Sequence, residues 1–155
     1  MNSISALHFR EAYIEDVEEI VALLFEDELG QKREKLSDPL PESYNVAFAK
    51  IRSNPNNELI VAELNHVLVG VMQITYLQHL TFQGGIAAHF EGVRIRKEYQ
   101  NHGYGTRMFQ WAIERAKDRG CHRVQLMTDK NRSAAKKFYE QLGFSATHEG
   151  MKLFI

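Results

Sequence analysis

The sequence predicts a mixed α/β fold in which a mostly antiparallel central sheet is flanked by about four helices. Two observations support this prediction. Apolar residues recur at helical spacing in four segments, and in several shorter segments they alternate with polar residues as in strands. One pair of strands is joined by a tight-turn signal, whereas a later strand, helix and strand follow one another in the order of a parallel crossover. The length of 155 residues predicts one domain that spans 1–155.

The first part of the chain predicts a strand followed by two helices. Residues 7–12 have the pattern of a strand, and residues 16–29 have apolar positions on one helical face. Acidic residues crowd the first turn of that helix, where the helix dipole favours them. A polar, proline-containing loop over 30–40 precedes a second helix over 42–52, which the stretch 53–57 ends with asparagine and proline.

A β-hairpin is predicted next. Residues 59–64 and 67–76 form its strands, and Asn65-His66 forms its turn because asparagine tolerates a left-handed backbone. Residues 77–88 contain two adjacent glycines and mixed polar residues, so we expect a flexible connection there. Residues 89–95 then predict a further strand.

The last third of the chain predicts alternating helices and strands. In order, these are a helix over 103–119 capped by Gly120, a strand over 122–128, a helix over 133–142 ended by Gly143, and two short strands over 144–147 and 151–155.

The composition excludes several classes of function. Hydrophobic residues make up 44% of the chain and charged residues 25%, which is typical of a globular domain. A net charge of -1 provides no general attraction to nucleic acid, and no apolar segment is long enough to span a membrane. We therefore expect a soluble cytoplasmic protein that binds neither. The seven histidines and single cysteine show no metal-ligand spacing, so we predict no metal site.

The most informative segment is 95–106, where a strand end, a glycine turn and a helix start follow one another. Gly103 and Gly105 lie where the helix begins, so little side chain blocks the backbone there. The first N–H groups of a helix lack intrahelical partners and carry the positive end of its dipole. This turn is therefore predicted to bind an anion such as phosphate.

Two segments together resemble the GCN5-related N-acetyltransferase (GNAT) family, and the likeness in element order covers nearly the whole chain. Residues 100–105, Gln-Asn-His-Gly-Tyr-Gly, are similar to the family's Q/R-x-x-G-x-G/A pyrophosphate loop. Residues 135–144 are similar to its later A-x-x-F-Y-x-x-x-G-F segment. A short glycine pattern alone occurs often by chance, but two segments in this order predict the family. A Rossmann fold is disfavoured because G-x-G-x-x-G is lacking.

The resemblance implies an enzyme that moves an acetyl group from acetyl-CoA to the amine of a small molecule by direct attack on the thioester. In that family the donor lies between two splayed parallel strands, here those over 89–95 and 122–128. The implied donor-binding residues are Val93, Arg94 and Ile95 for the pantetheine arm, Gln100, Asn101, His102, Gly103, Tyr104, Gly105 and Thr106 for the pyrophosphate, and the cations Arg132 and Lys136 near the acidic CoA.

The same resemblance implies which groups carry the chemistry. An amine with a pKa of about 10 is protonated at neutral pH, so a base must remove its proton before attack. Glu91 is the candidate base, acting directly or through water. The N–H of Val93 is the candidate donor to the oxyanion. Tyr139 matches the general-acid tyrosine that protonates the leaving thiolate. The alternatives are that Glu91 is an exposed residue paired with a cation and that Tyr139 is a core-edge aromatic residue.

Two positions depart from the family pattern. Arg132 stands where many relatives carry asparagine, one place after Asn131. Asn101 replaces a glycine that is common at the second position of the loop, and asparagine accepts left-handed backbone angles better than most residues. We therefore expect the loop to keep its conformation.

The acceptor is less closely defined. The resemblance locates it between the first two helices and the loops, over 25–44 and 76–88, and the acids at 26–28 favour a cationic amine. A weaker likeness to aminoalkylphosphonate N-acetyltransferases suggests a substrate to test. The alternatives are a protein or peptide N-acetyltransferase and a non-catalytic acyl-CoA-binding sensor. The final strand over 151–155 also permits pairing across a homodimer.

Overall fold

The computed structural model describes residues 6–155 and contains a five-stranded sheet in the order β1-β2-β3-β4-β5. The strands are β1 (Leu7–Glu11), β2 (Asn57–Leu64), β3 (Val67–Gln78), β4 (Ile86–Ile95) and β5 (Arg123–Leu126). The helices are α1 (Val17–Phe25), α2 (Glu28–Arg33), α3 (Glu42–Ser53), the single turn α4 (Thr81–Gly84), α5 (Tyr104–Asp118) and α6 (Ser133–Gln141). β1 to β4 are antiparallel neighbours and β4 and β5 are parallel, which confirms the predicted fold class.

The sheet buries apolar side chains on both of its faces. On one face, α1 and α3 contribute to a core made of Ala12, Val17, Ile20, Val21, Leu23, Phe48, Val61, Leu68 and Val71. On the other face lie the buried residues of α5, namely Met108, Phe109, Ala112 and Ala116. The ring of Phe109 lies 5.9 Å from that of Phe90 on β4. Because successive strand residues point to opposite faces, residues 89 and 91 of β4 point away from α5.

The chain separates into two compact units, with the boundary between Gln125 and Leu126. The first unit contains α1 to α5 and the sheet up to Gln125. The second contains α6, none of whose residues is buried, and ends in the large apolar side chains Met151, Leu153, Phe154 and Ile155, which are all exposed. A single domain over 1–155 stays a prediction. No helix within residues 6–155 is long and apolar enough to cross a membrane.

The prediction of one continuous helix over 16–29 is wrong, because the helix is interrupted at Glu26 and Asp27. α1 ends at Phe25, and Asp27 then caps the separate helix α2 by accepting a hydrogen bond from the N–H of Gly30 at 2.6 Å. Aspartate is favoured at such a cap because its carboxylate satisfies an N–H that has no partner in the helix. The corner is tight, since a Cβ added at Gly30 would lie 1.7 Å from the carbonyl oxygen of Leu24. The predicted loop over 30–40 therefore begins inside a helix.

The predicted hairpin turn is confirmed, because Asn65 and His66 have φ of 51° and 64°. This left-handed pair matches the turn that suits the twist of two antiparallel strands. At the opposite end of β3 the flexible connection predicted over 77–88 is wrong. β3 continues to Gln78 and β4 begins at Ile86, so the two strands form a second hairpin.

The turn of this second hairpin explains why the sequence pattern was misleading. Phe82 and Gln83 have φ of 52° and 57°, a left-handed conformation that non-glycine residues seldom adopt. The side-chain amide of Gln78 donates to the carbonyl oxygen of Gly84 at 2.8 Å and closes the turn. Side-chain hydrogen bonding thus orders a segment whose composition indicated a loop.

The two final strands predicted over 144–147 and 151–155 are also wrong, since the chain has no regular secondary structure after α6. The glycine ends are confirmed, because Gly120 and Gly143 have φ of 78° and 97° after α5 and α6. A strand requires a partner for its backbone N–H and C=O groups, and alternation of side chains along one segment does not supply that partner.

Candidate active site

The middle of β4 contains an irregularity that exposes its backbone. The register with β3 skips one position, so that Met72 of β3 faces both Gly92 and Val93. Gly92 has φ of 60°, and apart from its chain neighbours no described residue comes within 4 Å of a Cβ added there. Glycine is therefore required by the backbone conformation and not by lack of space. Such a β-bulge takes backbone groups out of the regular ladder. Gly92 inside a strand pattern was the sequence signal for this bulge, which the predictions missed.

Glu91 immediately precedes the bulge and is exposed. It is paired in register with Gln73 and points away from α5, whereas its neighbour Phe90 is buried against that helix. Within residues 6–155 the side chain of Glu91 takes part in no hydrogen bond or ion pair. The structure therefore does not contain the alternative arrangement, in which Glu91 pairs with a neighbouring cation. The role of Glu91 as a base stays a prediction.

The side chain of Arg94 links the bulged strand to the α1–α2 corner. Its Nη1 donates to the carbonyl oxygen of Val93 at 2.8 Å, and its Nε lies 3.2 Å from a carboxylate oxygen of Asp27. The predicted contact of Arg94 with the donor stays a prediction. The guanidinium itself is engaged in holding the strand in position.

The loop between β4 and α5 is organised by its own polar groups. The side-chain amide of Gln100 donates to the carbonyl oxygen of Ile95 at 2.9 Å, and a ring nitrogen of His102 lies 2.7 Å from the carbonyl oxygen of Gln100. Asn101 has φ of 63°, as expected from its tolerance of the left-handed region, and Gly103 has φ of 80°. These contacts fix the loop. The glycines at 103 and 105 leave little side-chain volume near the start of the helix.

The N-terminus of α5 has the geometry of an anion site. The first intrahelical bond runs from the N–H of Arg107 to the carbonyl oxygen of Gly103 at 3.1 Å. The N–H groups of Tyr104, Gly105 and Thr106 therefore have no acceptor within the helix, and they point out of its positive end. The ring of His102 lies 6.0 Å from that of Tyr104, on the same turn.

A buried carboxylate that the sequence analysis missed anchors the other end of α5. Glu58 on β2 is only 7% exposed, and it accepts hydrogen bonds from Nε and Nη2 of Arg115 at 2.6 Å and 2.8 Å. The hydroxyl of Tyr76 donates to the same carboxylate at 3.0 Å. The hydrogen bond to Glu58 raises the pKa of Arg115, and burial followed by the charge of Glu58 raises the pKa of Tyr76. Both partners thus stay protonated at neutral pH.

Tyr139, the predicted general acid, belongs to the second unit. It lies on α6 and is half-buried, and its ring is 6.1 Å from that of Phe144 in an edge-on contact. Its carbonyl oxygen accepts the N–H groups of Leu142 and Phe144, which ends the helix. The motif over 135–144 is therefore a helix with its terminating turn, and the acid role of Tyr139 stays a prediction.

The two cations predicted near CoA also belong to the second unit. Arg132 is at the N-cap position of α6, and Lys136, on the first turn, has its Nζ 4.0 Å from a carboxylate oxygen of Glu140. Both side chains are exposed. Their contacts with CoA stay predictions, whereas the residues of β4, the loop and the start of α5 are brought together within the first unit.

An open cleft of about 600 Å³ lies beside α1, and only residues 36–38 of its lining belong to the predicted acceptor region. Its lining is dominated by carboxylates and comprises Glu15, Glu18, Glu19, Ala22, Leu36, Ser37 and Asp38. Two of the acids at 26–28 are already engaged, since Glu26 accepts the N–H of Lys97 at 2.9 Å and Asp27 caps α2. Among the carboxylates that line the cleft, Glu19 is paired with Arg96, whose Nη2 lies 3.5 Å from its carboxylate oxygen.

The described residues include no group of three or more histidine, cysteine, aspartate or glutamate side chains arranged to hold a metal ion. Cys121 is half-buried, and burial raises the pKa of its thiol. A raised thiol pKa disfavours the thiolate that nucleophilic catalysis needs.

Comparison with known proteins identifies the family. Residues 15–144 match the sequence profile of the Acetyltransferase (GNAT) family. The fold is similar to that of a protein from Bacillus halodurans C-125 described as a transcriptional regulator, with 49% identity and a TM-score of 0.94 over 97% of this chain and 100% of that one. It is also similar to a putative acetyltransferase from Agrobacterium tumefaciens str. C58, with 26% identity and a TM-score of 0.84 over 96% and 99% of the two chains.

A more local likeness links the chain to N-alpha-acetyltransferase 30 of Schizosaccharomyces pombe. The two are 38% identical over 64 residues, which are 41% of this chain and 40% of the relative, so the match spans about two fifths of that protein's length. The family profile, by contrast, covers most of the chain and includes the bulged strand, the glycine loop and α5. The protein therefore belongs to the GNAT family of acetyltransferases, which transfer an acetyl group from acetyl-CoA to an amine.

Proposed function

We propose that this protein acetylates the amine of a small, cationic molecule. The observation that carries the proposal is the continuous run from the bulge at Gly92 to the first turn of α5. This run combines a strand with displaced backbone groups, an unpaired carboxylate at Glu91 and a helix N-terminus suited to an anion. Donor binding, proton removal and oxyanion stabilisation thus have candidate groups on one short stretch of chain.

The donor is proposed to lie along the backbone of Val93, Arg94 and Ile95, with its pyrophosphate at the N–H groups of residues 104–106. Gln100 supports this arrangement because its side chain bridges back to Ile95 and fixes the loop. Backbone N–H groups suit the pyrophosphate because they present donors and partial positive charge without the flexibility of long side chains. Arg132 and Lys136 are proposed to add positive charge near CoA.

The proposed reaction is a direct transfer. Glu91, directly or through water, takes a proton from the ammonium group, and the freed lone pair attacks the thioester carbonyl carbon. The N–H of Val93 donates to the oxyanion that forms. As the C–N bond is completed, the C–S bond breaks and Tyr139 protonates the departing sulfur.

The acidic cleft beside α1 supports a cationic acceptor. Glu15, Glu18, Glu19 and Asp38 line it, so a polyamine would gain electrostatic attraction there that an aminoalkylphosphonate, with its anionic end, would not. Because salt screens the attraction between these carboxylates and a cationic acceptor, high salt should raise the acceptor KM.

The test is an amine panel that includes polyamines and aminoalkylphosphonates, with release of CoA as the measured signal. Glu91→Gln and Tyr139→Phe should each lower kcat by about 10²-fold or more, and leave the acetyl-CoA Kd within about twofold, because general acid–base catalysis contributes rates of this order. Glu114→Gln is the matched control, since Glu114 lies on the exposed side of α5 and pairs with Lys117. Tight acetyl-CoA binding without turnover of any amine would contradict the proposal.

Two relatives favour specific alternatives. The Schizosaccharomyces pombe protein is an N-alpha-acetyltransferase, so peptides with varied N-termini belong beside the small amines in the panel. The Bacillus halodurans relative is described as a transcriptional regulator, which favours a sensor that binds acetyl-CoA without turnover. Tyr139→Phe separates an enzyme, which loses rate, from a sensor, which has no rate to lose.

Location in the cytoplasm and pairing of residues 151–155 across a homodimer stay predictions. The exposed apolar side chains of Met151, Leu153, Phe154 and Ile155 support the second, because exposed apolar groups of this size commonly mark an interaction surface. Light scattering of the full chain and of a chain ending at Gly150 tests it, with a dimer expected only for the full chain.

A further inference from the structure

We propose that His89 is a second proton-accepting residue of the acceptor site and acts together with Glu91. This inference rests on the acetyl transfer proposed above and assigns one of its steps to a residue that the family motifs do not mark.

The register of β3 and β4 brings the two residues to the same side of the sheet. His89 is paired with Thr75 and Glu91 with Gln73, and both point away from α5, whereas Phe90 between them packs on that helix. Residues two apart on a strand are separated by roughly 6.5 Å along the chain. Their side-chain ends can therefore be bridged by the acceptor amine or by one water molecule.

The ring of His89 has an unfilled hydrogen-bonding position. Its Nδ1 is buried and, among residues 6–155, has no hydrogen-bond partner. Its Nε2 takes part in no hydrogen bond among the described residues either, but it is not fully enclosed. Buried polar side-chain atoms nearly always have partners, and an exception on the candidate acceptor face is explained by a water molecule or ligand that completes the site.

The two ring nitrogens suit a proton transfer. In the neutral imidazole one nitrogen carries a proton and the other a lone pair. When Nδ1 carries the proton, Nε2 has the lone pair, and no donor among the described residues engages it. An acceptor ammonium held beside Glu91 by charge attraction can therefore transfer its proton to Nε2, directly or through one water molecule.

General acid–base chemistry explains why a histidine beside a glutamate is useful. A lysine-like ammonium has a pKa of about 10. The pKa of a free glutamate carboxyl group is about six units lower, whereas that of a free imidazole is only about four units lower. Imidazole is thus the better initial proton acceptor near neutral pH, and a carboxylate is the better group for attracting the cation.

The N–H bond of the ammonium breaks and its proton moves to Nε2 of His89. The freed lone pair forms the C–N bond at the thioester carbonyl, the C–S bond breaks, and the sulfur leaves with its electron pair and is protonated by Tyr139. Glu91 takes the second proton, which the new amide nitrogen loses, Tyr139 regains a proton from solvent, and His89 and Glu91 release theirs to solvent.

A second histidine with a buried, unpartnered nitrogen is not assigned this role. Nε2 of His79 has no partner among the described residues, but His79 follows the end of β3 and donates its N–H to the carbonyl oxygen of Gly85. It thus lies towards the α4 turn, at the far end of the hairpin from the bulge at Gly92.

The test compares His89→Ala and His89→Gln with His66→Gln, whose ring is 99% exposed in the β2–β3 turn. Both His89 variants should lose about 30-fold or more in kcat with the best amine, with acetyl-CoA Kd within about twofold, whereas His66→Gln should match wild type. Free imidazole added to His89→Ala should restore part of kcat, and it should have no effect on His89→Gln, whose side chain fills the space. A purely structural role would not give this rescue.

The outcomes separate this inference from the proposed function. If wild type acetylates an amine and His89→Gln keeps more than half of its kcat, the role of His89 is overturned and the acetyl transfer stands. A loss of rate in His89→Ala without imidazole rescue, at an unchanged melting temperature, also overturns it. Failure of wild type to acetylate any amine removes the proposed function itself.

Discussion

Asp27 and Arg94 form an ion pair that ties the α1–α2 corner to the bulged strand. One carboxylate oxygen of Asp27 lies 3.2 Å from Nε of Arg94, and the other accepts the N–H of Gly30 at 2.6 Å. The adjacent Glu26 accepts the N–H of Lys97 at 2.9 Å. Two neighbouring acids thus hold the proposed acceptor side and the proposed donor strand in a fixed relation.

Asp27→Asn should weaken this connection while keeping the cap of α2, since the amide oxygen still accepts the N–H of Gly30. We expect the acceptor KM to rise by about three- to tenfold, with the acetyl-CoA Kd within about twofold, and a loss of about 1 kcal/mol in the free energy of unfolding. Arg52→Gln is the control, because its pair with Glu11 is half exposed and worth at most about 0.5 kcal/mol. Equal kinetic effects of both variants would argue against a positioning role.

Glu58→Gln should be the most destabilising of these conservative changes. It leaves the guanidinium of Arg115, whose side chain is 37% exposed, with a neutral partner, and losing hydrogen bonds to a charged group costs about 1.5–3 kcal/mol in the free energy of unfolding. Urea denaturation measures this loss. Glu114→Gln removes the exposed pair with Lys117 on the same helix and should cost less than about 0.5 kcal/mol. A loss below about 1 kcal/mol for Glu58→Gln would contradict the prediction.

Asp16 should contribute stability that disappears in acid. Burial alone would raise the pKa of its carboxyl group, but hydrogen bonds from Arg10 and from the N–H of Tyr13, each at 2.7 Å, lower the pKa below its ordinary value. Because the folded pKa lies below the unfolded one of about 4, the contribution is complete above that pH and is lost as pH falls through the folded pKa.

The corresponding experiment follows the unfolding free energy of wild type and Asp16→Asn between pH 7 and pH 2. The difference between the two proteins should be constant above about pH 5 and should shrink below about pH 4. Glu15→Gln, which changes an exposed acid one residue earlier, serves as the comparison. A difference that stays constant down to pH 2 would show that the charge of Asp16 does not stabilise the fold.

Gly103→Ala should reduce both stability and donor affinity. Its φ of 80° costs a side-chain-bearing residue about 1–2 kcal/mol, although no atom lies within 4 Å of the added Cβ. Gly120→Ala is closely matched, with φ of 78° and the same open surroundings at the other end of α5. We expect similar losses of stability, but a weaker acetyl-CoA Kd only for Gly103→Ala. Calorimetry of both variants decides whether the effect is local to the anion site.

The features that the sequence predicted well are those with strong local causes. Asn65-His66 and Asn101 adopt left-handed backbones that asparagine tolerates, and Gly103 begins α5 where the glycine turn predicted a helix start. The apolar stripe of α5 is equally local, since it follows from side chains at helical spacing. Here the chemistry of a few adjacent residues is enough to determine the conformation.

The features that were missed depend on contacts between distant residues or on competing signals. Asp27 lies within a continuous run of helical periodicity, so its capping role was hidden by the apolar pattern around it. The turn through Phe82 and Gln83 uses backbone angles that those residue types do not indicate. Glu58 is buried because Arg115, 57 positions later, reaches it, and no window of sequence around Glu58 contains that partner.

The contact between Glu58 and Arg115 also sets the angular position of α5 about its own axis. Arg115 follows Tyr104 by 11 residues, which is close to three full turns, so the two lie on nearly the same side of the helix and about 16 Å apart along it. A slip of one residue at the Glu58 end would rotate the N–H groups at the start of α5 by about 100°. The direction in which this helix presents its first N–H groups is thus decided at β2, some three turns away from the proposed anion site.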